Sequence, residues 1–144
     1  MTREPGTHPR RQDWPERLSA LVEARRHAAF TWGVHDCAMF AADAVLLMTG
    51  RDPLAEWRGR YGDEAEGDAL TEAMGGFELF MSAAFARFGA PECPSAMTQR
   101  GDVALVAYGN TRSLGIILGG SVAVPGLDRL SFLPTRLICR AWAI

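Results

Sequence analysis

Hydrophobic residues recur every three or four positions through the first two-thirds of the chain, then alternate in short runs through the last third. Asp13 is placed to cap a first helix, with Pro15 in its first turn and Glu16 at the capping-box position. Leu18, Leu21 and Val22 follow at helical spacing, which predicts a helix to about His27. The stretch Phe30 to His35 reads as a bend. Asp36 then caps a second helix whose apolar side carries Cys37, Phe40, Ala41, Ala44, Val45 and Met48, and Gly50 stops it. Asp52-Pro53 opens a short helix to about Arg58, Gly59 to Gly62 forms a turn, and a polar helix spans roughly Asp63 to Met74. Beyond Gly75-Gly76, the stripe Phe77, Phe80, Met81, Ala84, Phe85 and Phe88 predicts a core-facing helix ending at Gly89.

After a loop from Ala90 to Arg100, strands are predicted over Asp102–Tyr108, Leu114–Leu118, Ser121–Val124 and Ile138–Ile144, with a weaker one near Leu130–Phe132. Gly119-Gly120 is a candidate hairpin turn. Helices followed by strands argue for an α+β domain, with N-terminal helices packed on one face of a C-terminal antiparallel sheet. At 144 residues the chain has the length of one domain, assigned to 13–144. Residues 1–12 hold Pro5, Gly6, Pro9 and four charged side chains without periodic hydrophobicity, so they are read as a flexible tail or an arm that folds on a partner.

Charge and composition narrow the function classes. A net charge of −2 provides no positive field for nucleic acid or anionic lipid, and all fifteen basic residues are Arg. No stretch approaches the roughly 20 apolar residues of a membrane span, and the first residues lack the apolar run of a secretory signal. Cys37, Cys93 and Cys139 are odd in number and widely spaced, which fits folding in a reducing compartment and suggests no metal or cofactor.

Asp36-Cys37 places a thiol in the first turn of a helix, where unpaired N–H groups and the dipole favour thiolate and lower its pKa. A small buried hydrophobe is the competing reading. Trp32 is expected to be a core aromatic over the helix junction. Gly101-Asp102 reads equally as a turn or as part of a site, and Gly115 suggests close approach of the Cys37 helix to the sheet. Arg58, Arg60 and Tyr61 form a polar cluster, read chiefly as a solvated face.

The order of Phe30-x-Trp32-Gly33-x-x-Asp36-Cys37, Gly101-Asp102 and Leu114-Gly115-Ile116 resembles the NlpC/P60 family of papain-like cysteine hydrolases, over roughly Phe30 to Val124. It looks closest to the small branch associated with phage and prophage tails. The resemblance implies Cys37 as nucleophile, a histidine on the second strand as base, and a polar residue on the third strand to orient it. Ser113 stands at the histidine position, the third position falls near Val124 or Pro125, and no histidine follows His35. A serine cannot serve as base for a thiol near neutral pH, and a matched base contributes on the order of 10²–10⁴ in rate. His35, His27 and His8 are poorly placed as substitutes, His35 being expected to point away or hold the bend.

The resemblance therefore implies a structural or adaptor protein of a phage-type tail tip with a degenerate hydrolase fold, made in the host cytoplasm and resident in the virion. Its partners would be other tail-tip proteins, such as a distal tail or hub protein. The alternative is an active cysteine peptidase or amidase on peptidoglycan with an unusual or donated base. A cellular acyl-transfer or immunity-type protein of the same class is a third reading.

Overall fold

The computed structural model describes residues 3–144. Four α-helices occur among them: α1 (Trp14–Arg25), α2 (Cys37–Thr49), α3 (Glu64–Glu72) and α4 (Phe77–Phe88). Six strands follow, β1 (Glu92–Cys93), β2 (Val103–Tyr108), β3 (Thr111–Ile117), β4 (Ser121–Pro125), β5 (Leu130–Pro134) and β6 (Ile138–Trp142). They form one sheet in the order β1-β6-β2-β3-β4-β5 with every pair antiparallel. The predicted α+β architecture is therefore present. No helix among the described residues is long and apolar enough to cross a membrane.

Several boundaries differ for identifiable reasons. The Asp13 carboxylate makes no capping bond; it pairs instead with Arg17 one turn on, at 2.9 Å. The predicted helix after Asp52 shrinks to a single 3-10 turn, Ala55–Trp57, because the Asp52 side chain accepts from the Leu54 N–H and closes a local turn. Glu92–Cys93, inside the predicted loop, is a short strand that extends the sheet beyond β6.

Strand alternation divides the core. Val103, Leu105, Leu114, Ile116 and Trp142 face the helices, while Ala104, Val106, Ile117, Val122 and Val124 form a smaller cluster on the other face, against which Leu133, Leu137 and Ile138 pack. Helix α2 lies between α1 and strands β3 and β4. Its near-continuous buried surface, rich in Ala and anchored by Met39, Phe40, Val45 and Met48, lets it sit close to the sheet. Phe80, Met81, Ala84 and Phe85 of α4 are buried as the stripe predicts, with Phe85 stacked on Trp142 at 5.2 Å.

The N-terminal segment departs most from expectation. The predicted arm also included Met1 and Thr2, which lie outside the described residues; residues 3–12 are laid along this chain's own domain rather than free. The Arg11 N–H donates to Met48 O and the Thr7 N–H to Gly89 O, while His8 packs on Phe88 at 4.6 Å. The strongest hold is Asp102, fully buried, whose carboxylate accepts from Arg3 and from Arg10, the latter at 3.0 Å. It also accepts from the Gln99 and Ile144 N–H groups. Arg10 donates further to the Arg100 and Ile144 carbonyls. A segment with no apolar face is thus ordered by charge-assisted bonds to one buried anion. Of the two readings of Gly101-Asp102, the structure shows the turn, with Asp102 accepting from the nearby Gln99 N–H, and adds what neither reading held, the bonds to both arginines.

Removing one partner of a buried ionic cluster costs far more than the cluster's net stabilisation, because the remaining charges stay desolvated. Asp102→Asn is expected to lower stability by about 3 kcal/mol, read as a fall in urea midpoint at unchanged slope. A loss below about 1 kcal/mol, the scale of a surface pair, would mean that the segment is not held this way.

Candidate functional site

Asp36 organises the site. Its backbone is extended ahead of α2, and one carboxylate oxygen accepts from the Met39 N–H at 2.8 Å, as the sequence predicts for the cap. The other oxygen accepts from the Gly33 N–H at 2.8 Å and from the Tyr61 hydroxyl at 2.5 Å. A single buried carboxylate therefore fixes the bend, the helix start and the turn after the 3-10 element. Gly33 has φ +79°, and a Cβ there would collide with the Tyr61 carbonyl oxygen, so glycine lets the two loops meet. Tyr61, read from sequence as part of a solvated cluster, belongs to the site. Burial and the Asp36 carboxylate both push its phenol upward, keeping it a neutral donor. Asp36-x₂₄-Tyr61 has no periodic signature, which is why sequence reading missed it.

Cys37 is half-buried and lines a cleft of about 810 Å³ together with Trp32, Tyr61, Tyr108 and Ser113. The Leu114 N–H of β3, the residue after Ser113, lies near enough to the sulfur to favour its thiolate. Two motif positions 76 residues apart, 113 − 37, are thereby brought to one place. The expected lowering of the thiol's pKa does not occur. Burial pushes it up to about 11, and the Asp36 charge adds to this. The N–H groups of Leu114, Ala38 and Cys37 itself pull the other way without prevailing. Helix position favours thiolate, and burial in apolar surroundings opposes it.

No histidine lines the cleft among the described residues. His35 is 4% exposed, and its Nδ1 faces Arg25 Nη1 at 2.9 Å while the ring meets Phe40 edge-on. Burial and then the Arg25 charge lower its pKa. Its backbone bridges Thr31, so it holds the bend, as expected. His8 belongs to the N-terminal segment and His27 follows the end of α1. Val124 and Pro125, at the third motif position, lie on β4, and of the two only Pro125 lines the cleft.

Other expectations change. Trp32 is not core; it is half-buried, meets Phe30 edge-on at 4.9 Å and forms a wall of the cleft. Gly115 makes room for β4 rather than for α2: a Cβ there would stand 2.7 Å from the Ala123 carbonyl oxygen and 2.6 Å from Val122. Arg58 bridges Asp43 and Asp52, and Arg60 lies over Trp57. No group of three His, Cys, Asp or Glu among the described residues is arranged to hold a metal ion.

The family model DUF6950, described as a domain of unknown function, matches residues 9–144. The chain belongs to this family. The matched region includes the Asp36-Cys37 helix start, β3 with Ser113 and, of the N-terminal segment that docks on Asp102, residues 9–12 with Arg10 but not Arg3. No curated protein matches the DUF6950 chain.

The bond between Tyr61 and Asp36 can be isolated by a double-mutant cycle of Tyr61→Phe and Asp36→Ala. A coupling of about 1.5 kcal/mol is expected for a hydrogen bond to a buried charge. A coupling near zero in chemical denaturation would remove Tyr61 from the site.

Proposed function

We propose that this domain is a non-catalytic relative of the NlpC/P60 hydrolases, retained as a structural or adaptor module of a phage-type tail tip. The observation that carries the reading is the meeting of the Cys37 sulfur with β3 at the Ser113–Leu114 step, with serine where a base would have to stand. A protonated thiol and a cleft that no histidine lines among the described residues support the loss of a base matched to the thiol near neutral pH. The helices, the antiparallel sheet and the capped Asp36-Cys37 start support the resemblance; the tail location rests on the resemblance alone.

Contacts to a distal tail or hub protein fall to exposed loops in this reading. Arg3 and Arg10 are engaged within the chain and are poor candidates for an anchor. An active hydrolase of peptidoglycan would instead need a base brought by another molecule.

Restoring the base is the direct test. Ser113→His is expected to raise the rate of Cys37 alkylation by iodoacetamide at pH 7 by roughly tenfold or more, since a neighbouring imidazole stabilises thiolate. Cys37→Ala is expected to leave particle assembly and infection at wild-type levels. Fast alkylation of the unaltered thiol at pH 6 to 7, or loss of infection in Cys37→Ala particles, would overturn the reading.

A further inference from the structure

The cleft remains a built site once catalysis is set aside, and its lining indicates what it holds. Its volume of about 810 Å³ lies within the range of small-ligand pockets. Aromatic side chains form much of its wall, among them Trp32, Trp57, Tyr61 and Tyr108. Four carboxylates line it, Asp36, Glu64, Asp68 and Glu78, against one cation, Arg112.

Two of these carboxylates are committed. Asp36 accepts from three donors, and Glu78 pairs with Arg112 and Arg140. Glu64 and Asp68 have no ion-pair partner among the described residues. Their spacing of four on α3 sets both on the face that borders the cleft. A second observation is independent of these acids: Phe30, Phe77 and Phe80 join the two tryptophans and two tyrosines, so seven aromatic rings line one cleft.

We propose that the cleft binds the guanidinium or alkylammonium end of a flexible chain. The cation would sit among the aromatic faces and between Glu64 and Asp68. Aromatic faces attract cations through their quadrupole, and unpaired carboxylates at the mouth add a field of the same sense. Anionic ligands meet the opposite field. The cation can belong to a free amine or to an Arg or Lys side chain of a peptide.

The inference rests on the reading of the cleft as a binding rather than a reacting site, but its test is separate. Tryptophan fluorescence of the full chain is titrated with acetyl-Ala-Arg-Ala-amide, with its citrulline counterpart, which has nearly the same shape without charge, and with agmatine. The arginine peptide is expected to bind roughly fivefold to tenfold more tightly than the citrulline peptide. That preference should shrink with added salt. Equal binding of agmatine and the arginine peptide assigns a free amine; tighter peptide binding assigns a peptide side chain.

Glu64→Gln with Asp68→Asn alters two exposed positions on a helix that buries no residue, so the fold is preserved while the preference for charge is lost. Equal affinity for arginine and citrulline, an unchanged preference in the double variant, or no binding of either cation at about 10 mM, well above typical pocket affinities, overturns the proposal. None of these outcomes bears on the alkylation of Cys37, which tests the loss of catalysis by itself.

Discussion

One buried carboxylate determines how the site is assembled. Asp36 accepts two backbone N–H groups and one phenol, and these three donors come from the bend, the second helix and the turn after the 3-10 element. Nothing else among the hydrogen bonds of this region ties all three together. The start of α2 is thereby held against β3, and the sulfur of Cys37 falls beside the Leu114 N–H. The same arrangement that fixes the thiol also suppresses its ionisation, because a buried anion one residue away adds to the cost of desolvation.

Asp102 plays the equivalent part at the other end of the domain. It gathers Arg3, Arg10 and the N–H of Ile144, so a polar N-terminal segment, the last strand's continuation and the loop before β2 share one buried charge. Both anions exploit the same rule, that a buried charge persists only when its acceptor capacity is filled. The hydrophobic core supplies the bulk stabilisation, while these two residues decide which loops lie where.

Much of this was legible in the sequence. The periods of 3.6 and 2 located four helices and five of the six strands, and Asp36 announced the cap of α2 through its position before an apolar helical run. Local patterns failed where the decisive partner was distant. Asp13 had the sequence of a capping box and instead paired with Arg17. Residues 3–12 have no apolar periodicity, so their docking could be found only through Asp102, about ninety positions away. Tyr61 lacks a local signature for the same reason. Helix position is readable from sequence whereas burial of the helix start is not, so the raised pKa of Cys37 is legible only in the fold.

The account depends on Cys37 holding its proton at neutral pH. Ionisation of that thiol can be followed by ultraviolet absorbance of the thiolate during a pH titration, in a Cys93→Ser, Cys139→Ser background so that only one sulfur reports. A midpoint near 11 is predicted. A midpoint below about 8, in the range of activated cysteines, would contradict the account and return the site to the working hydrolases.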